Sequence, residues 1–204
     1  GRRTGLGTHG LADCMAKLRL KYDSDEGVEF IRNTYSILRN CAYKESVMLS
    51  KERGSFPVWN WEIEKDNAFI KRLPEDVILD MKKYGRRNIS ILTNAPTGSV
   101  SIMSQTSSGI EPVFRNEYIR NRKLNHNENI TPDFVDDLGD KWVSYSVYHH
   151  NVQEYMSIFP EEKTVPDFFV ESDSIDWTKR VEVQSALQEN IDHCISSTIN
   201  LPAG

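Results

Sequence analysis

In this 204-residue chain, the residues best suited to chemistry are Asn94-Ala95-Pro96-Thr97-Gly98-Ser99-Val100-Ser101. They follow Ile89-Ser90-Ile91-Leu92-Thr93, a short apolar run that reads as a buried strand. A strand opening into small hydroxylated residues is suited to holding an anion. Thr97, Ser99 and Ser101 carry hydroxyl donors, and Gly98 lets backbone approach a ligand closely. Successive N–H groups in such a turn form an anion-binding concavity. The stretch lacks the G-x-x-x-x-G-K-[ST] arrangement of a Walker loop. A plain serine–threonine turn has the same composition, so the loop alone does not decide between the two. Glu111, in Gly109-Ile110-Glu111-Pro112, reads as a carboxylate that caps loop N–H groups or orders the loop as a site residue.

Other candidate constellations are weaker. Gly5-Leu6-Gly7-Thr8-His9-Gly10 matches G-x-G-x-x-G literally, but no strand precedes it, so a tight turn packed against neighbouring backbone is the better reading. The histidines His9, His126, His149, His150 and His193 form no i, i+4 ligand pair, and His149-His150 reads as a surface pair. No metal site is expected. Cys14, Cys41 and Cys194 lack C-x-x-C spacing, and Cys14 and Cys41 read as small core residues on apolar helix faces. Gln184, Gln188 and Asp192 fall at i, i+4, i+8 and read as a solvated stripe or a cavity-facing one. No Ser-His-Asp or Cys-His arrangement emerges.

The elements that must position these residues follow from periodicity and punctuation. The glycine turn leads into a helix with Leu11, Met15, Leu18 and Leu20, reaching about Tyr22. Ser24 is an N-cap for a long helix with Asp25 and Glu26 in its first turn, ending near Gly54. Helices are predicted over 62–73 and 75–84, with Pro74 between them and Gly85 ending the second. Residues 113–124 alternate enough for a strand, 125–131 form a polar loop, Thr131-Pro132-Asp133 looks like a helix start, and 142–148 fit a strand or a helix. Residues 177–194 carry helical spacing, and 195–201 read as another buried strand. Helix-then-strand alternation without hairpin signals predicts an α/β architecture with long crossovers.

Composition sets outer bounds. Hydrophobic residues make up 38% and charged residues 27%, with a formal net charge of −5, and the mean hydropathy is −0.54. This suits a folded chain of one substantial domain and argues against a general nucleic-acid or membrane-surface binder. No apolar run approaches a transmembrane length. Sparse cysteines fit a reducing, cytoplasmic setting. Both ends read as cut, so the chain is expected to be a piece of something larger.

Four stretches, in this order, resemble the catalytic subunits of ribonucleotide reductases. They are Arg3-x-Gly5-Leu6-Gly7-x-x-Gly10-Leu11-Ala12-Asp13; Ser46-x-x-Leu49-x-x-Glu52-x-Gly54-x-Phe56-Pro57; Asn94 to Ser101 with Ser107-Ser108-Gly109-Ile110-Glu111-Pro112; and Val183-Gln184-x-x-Leu187-Gln188-x-x-Ile191-Asp192-x-x-Ile195-Ser196-x-Thr198-Ile199-Asn200-Leu201-Pro202. The resemblance implies a ten-stranded α/β barrel made of two parallel five-stranded halves. Residues 1–204 would be a fragment of that one catalytic domain, its C-terminal part, with no internal boundary. The wording of the motifs is similar to the adenosylcobalamin-dependent class, which implies that cofactor. The implied chemistry is removal of the 3′-hydrogen of a ribonucleotide by a thiyl radical, then loss of the 2′-hydroxyl as water, with a cysteine pair supplying electrons.

The family's radical cysteine lies in Asn-x-Cys-x-Glu, which does not occur here. No catalytic residue is therefore assigned, and the fragment alone is expected to be inactive. Carried over by the resemblance are the substrate-phosphate residues Ala95, Pro96, Thr97, Gly98, Ser99, Val100 and Ser101. The implied partners are a ribonucleotide di- or triphosphate, the remainder of the reductase chain, a thioredoxin-like reductant and a second copy in a homodimer, with no nucleic acid and no membrane. On this reading residues 95–101 should line a cavity at the end of a buried strand, and apolar strand edges should lie open. The alternative is a non-catalytic α/β module that binds a phosphorylated ligand and has a closed core.

Overall fold

The computed structural model describes residues 2–125 and 127–200. Gly1, His126 and the end of the last motif from Leu201 onward lie outside them. Three extended stretches run side by side. The middle one, residues 90–94, is parallel to 4–6 on one side through the Leu6–Leu92 bridge, and to 194–196 on the other through Asn94–Ile195. Hydrogen bonds from Leu6 N to Ile91 O and from Thr93 N to Leu6 O, both 2.9 Å, fix the first register. Asn94 N to Cys194 O at 3.0 Å and Ser196 N to Asn94 O at 2.9 Å fix the second.

Glycine makes the first pairing close. A Cβ on Gly7 would sit 2.0 Å from Thr93 O, and one on Gly5 would sit 2.8 Å from the Thr93 side chain. The glycine motif is thus a close approach of two strands, in line with a turn packed on neighbouring backbone. Among the described residues no further strand pairs with 4–6 or with 194–196. Leu6, on the first of these stretches, and Ile199, just beyond the second, are each 49% exposed. The stretch after residue 194 was expected to be buried; it is instead largely exposed, because it has no neighbour on its outer side.

Helices back this partial sheet. The first, α1 (Leu11–Lys17), ends earlier than expected, with Arg19 left-handed at φ 57° and Leu20 N closing onto Met15 O. The long α2 (Asp25–Arg53) matches expectation: the Ser24 hydroxyl accepts from Gly27 N at 3.0 Å, and Gly54 ends it. The helix expected over 62–73 is broken into α3 (Trp61–Glu64) and a 3₁₀ turn, Ile70–Arg72. Asn67 takes Phe69 N on its own side chain, a local bond that competes with helix continuation. Helix α4 (Glu75–Tyr84) lies between Pro74 and Gly85 as expected. Buried Ile31, Tyr35, Val47, Val77, Met81, Leu92, Val183 and Leu187 belong to one core joining these helices to the strands.

Beyond the central strand come α5 (Gly98–Ser104), β1 (Glu117–Lys123), β2 (Phe134–Val135), β3 (Lys141–Tyr148), α6 (His150–Ile158) and α7 (Trp177–Gln188). The three strands form an antiparallel sheet in the order β1-β3-β2, with Glu117 opposite Tyr148 and Phe134 opposite Trp142. This corrects the expectation of no hairpins. Asp136 accepts from Leu138 N, Asp140 N and the Trp142 indole, and Gly139 at φ 84° turns the chain. Residues 131–133 do not start a helix; Asp133 N bonds to Trp142 O and extends the β2 pairing. Helix α7 stops at Gln188, where side-chain bonds tie down the chain that follows and cap one terminal carbonyl. Gln188 Nε2 donates to Ile191 O and His193 O, and Asn190 Nδ2 donates to Ala186 O. No helix among the described residues is long and apolar enough to cross a membrane.

Candidate anion site at the end of the central strand

The central strand is fixed at both ends by polar side chains. At its start the Asp192 carboxylate accepts from Leu92 N at 2.8 Å, from Ile91 N at 3.0 Å and from the Tyr43 hydroxyl at 2.6 Å. Asp192 therefore lies off α7 and belongs to no helical stripe. Burial, then the neighbouring Asp192 charge, pushes the Tyr43 phenol far above its ordinary value. At the strand's end Asn94 is buried. Its Oδ1 accepts from Thr8 N at 3.2 Å, and its Nδ2 donates to the Tyr35 hydroxyl at 3.2 Å. Burial likewise raises the Tyr35 phenol.

The next residue begins the loop. Ala95, Pro96, Gly98, Ser99 and Val100 are exposed, Thr97 is half-buried and Ser101 is buried. The stretch expected to be a loop turns into α5 at Gly98. Thr97, at φ 54°, occupies the N-cap position without capping through its side chain. Its hydroxyl instead accepts from Gly109 N at 2.8 Å. A Cβ on Gly109 would approach Ala95 O to 3.1 Å, and its φ of 53° also favours glycine where the chain returns. The Ser101 hydroxyl donates to Gly98 O at 2.8 Å and shares a 2.7 Å bond with Ser108 Oγ. The first-turn N–H groups of α5 have no side-chain cap, and Gly98, Ser99 and Val100 are exposed.

Ser101 and residues 105–108 form one wall of a cavity of about 570 Å³. His149 and His150 from the β3–α6 junction, with Glu111, Thr198 and Asn200, form others. Of the seven predicted phosphate residues only Ser101 is in this lining, so the expectation that residues 95–101 line a cavity together is not met by the other six. Sequence reasoning missed the groups that hold the walls. Asp13 Oδ2 accepts from Ser107 N at 2.6 Å, and its Oδ1 pairs with His149 Nε2 at 3.0 Å. His149 is therefore no surface residue; its side chain is 14% exposed. Glu111 accepts from buried Arg180 at 2.8 Å and from Thr198 N at 2.5 Å. It caps a loop N–H, as one of its two readings held, but that of the last strand. Arg180, with only an ordinary helical context, carried no sequence signal.

Cys14, Cys41 and Cys194 are all exposed and unpaired, which corrects the expectation of core cysteines at 14 and 41. Among the described residues no cluster of three or more His, Cys, Asp or Glu side chains could hold a metal ion.

An open parallel sheet of three extended stretches backed by helices is the architecture of an incomplete α/β barrel. Residues 1–204 match the family model described as "Ribonucleotide reductase, barrel domain", and the chain belongs to that family. It is 29% identical over 208 residues to a vitamin B12-dependent ribonucleoside-diphosphate reductase of Mycobacterium tuberculosis, covering 99% of this chain and 27% of that protein. It is 31% identical over 207 residues to a protein of the same name from Thermoplasma acidophilum, covering 98% and 24%. A ribonucleoside-diphosphate reductase subunit alpha of Treponema pallidum is 24% identical over 128 residues, covering 60% and 15%. The chain thus spans about a quarter of the length of the vitamin B12-dependent relatives it matches. Membership of a barrel family accounts for the open strand edges, which a closed binding module would not have.

Proposed function

We propose that the protein to which this chain belongs is an oxidoreductase that converts ribonucleoside diphosphates to deoxyribonucleotides, and that residues 95–101 hold the substrate's phosphate tail. The observation that carries this reading is the uncapped first turn of α5, set among small residues directly after a strand fixed by Asn94. Helix N-termini bind anions through unpaired N–H groups and the helix dipole. The Thr97 hydroxyl is engaged with Gly109 N, so binding falls to the N–H groups of Gly98, Ser99 and Val100 and the Ser99 hydroxyl. The diphosphate preference follows the relatives' names.

Those names also favour adenosylcobalamin, which when bound supplies radical chemistry. The described residues do not offer a fitting site for it. The cavity of about 570 Å³ and a second of about 590 Å³ near Lys21 and Phe169 are small for a corrinoid bearing an adenosyl group. That site, the radical cysteine and the reducing cysteine pair fall to the remainder of the chain. A cytoplasmic setting, a thioredoxin-like reductant and a homodimer complete the reading.

The test is Ser99→Asp in the full-length reductase. A carboxylate in the first turn of α5 should raise KM for a ribonucleoside diphosphate at least about tenfold with kcat little changed. An unchanged KM would remove the phosphate role from this loop.

A further inference from the structure

We infer that the phosphate site has a second half, and that the terminal phosphate of the substrate is received by the N-terminus of α6 together with the Ser107 hydroxyl. This rests on the proposed role of residues 95–101. Helix α6 has nine residues, and its N-cap, His149, offers no side-chain cap. The N–H groups of His150, Asn151 and Val152 therefore lack intrahelical partners. His149 and His150 line the same cavity as Ser101.

The independent observation is Ser107. Its side chain is buried, with the residue 1% exposed, and it is part of the cavity lining. Its hydroxyl has no hydrogen-bond partner among the described residues. A buried hydroxyl without a partner is costly unless something else bonds it. Its backbone N–H is gripped by Asp13, the same carboxylate that holds His149. Asp13 thus fixes Ser107 and the start of α6 relative to each other.

Charge completes the argument. The lining includes no lysine or arginine among the described residues, and its carboxylate, Glu111, is engaged by Arg180 and Thr198 N. An anion there is recognised by N–H dipoles and hydroxyls, the same chemistry as the α5 turn. Ser101 belongs both to α5 and to this cavity, so α5 and the start of α6 border the same space.

The experiment uses the full-length reductase with ribonucleoside di- and monophosphates, reading KM, kcat, melting temperature and the stabilisation each nucleotide gives. Ser107→Ala should raise KM for the diphosphate about tenfold or more. It should leave kcat unchanged and the ligand-free melting temperature unchanged or higher, since the lost hydroxyl has no protein partner. His150→Asp, at an exposed position, should also raise KM; yet a carboxylate in the first turn favours the helix, so the ligand-free protein should be no less stable. Stabilisation by the monophosphate should be the same in both variants as in the wild type.

Ser99→Asp separates the readings. If it raises KM while Ser107→Ala and His150→Asp do not, the second half is overturned and the loop's role stands. If none of the three moves KM, both fall. If Ser107→Ala lowers melting temperature and kcat with KM intact, the hydroxyl is structural and the inference is overturned.

Discussion

Gly7→Ala tests the strand pairing that places the anion loop. The new Cβ would lie 2.0 Å from Thr93 O and 2.8 Å from Asn94 Oδ1. Ordinary contact begins at 3.4 Å, so the backbones must separate by about 1.4 Å. The hydrogen bonds Leu6 N to Ile91 O and Thr93 N to Leu6 O, at 2.9 Å, cannot survive that shift. Each contributes about 1 kcal/mol net. Withdrawing Thr8 N from the buried Asn94 side chain adds about 1–2 kcal/mol more. The expected loss is about 3–4 kcal/mol, a large share of typical domain stability. Equilibrium urea unfolding reads it as a fall in midpoint of more than about 1 M with an unchanged m-value. Gly98→Ala is the control: nothing lies within 4 Å of its Cβ, and alanine favours the helix. A Gly7→Ala protein within about 1 kcal/mol of the wild type would refute the reasoning, since that leaves no room for the lost bonds.

Glu111→Ala strips buried Arg180 of its carboxylate and Thr198 N of its acceptor. Urea unfolding should show a loss of about 3 kcal/mol, and a loss below about 1 kcal/mol would deny the pair its role. Tyr22, Tyr35 and Tyr43 have phenols raised chiefly by burial above the ordinary value of 10.0. Raised acids keep their protons when folded, so their stabilisation is complete below pH 10 and fades as pH climbs through the folded values. Melting temperature should fall above about pH 10, and phenolate absorbance of the folded chain should lag that of the unfolded chain; superimposable titrations would contradict the burial argument. A thiol reagent should label Cys14, Cys41 and Cys194 in the folded chain without denaturant, and protection of Cys14 or Cys41 would contradict their exposure.

Local signals were legible where local physics dominates. Ser24, Asp25 and Gly54 bracket α2 because caps and first-turn carboxylates act within a few residues. Pro74 and Gly85 bracket α4 for the same reason. The antiparallel sheet was obscured by its composition. Glu117–Lys123 alternates enough to read as a strand, but it is mostly polar and exposed, so no apolar face showed which strand it pairs with. Residues 95–101 stood out through their small hydroxylated side chains, but their surroundings did not. Asp13 reaches Ser107 across 94 residues and His149 across 136, and no spacing rule spans such distances. His149 looked like half of a surface pair because its carboxylate partner lies on another element.

Asn94 bonds to the strand on one side through its backbone and to the 4–8 stretch on the other through its side chain. It immediately precedes Ala95, so the loop inherits its coordinates from three strands at once. The β1-β3-β2 sheet adds no strand to that junction. Sequence drift in the sheet can therefore reshape the cavity's far wall while the α5 turn stays in place. Drift at residue 94 has no such freedom, because it would move the datum from which the loop is measured.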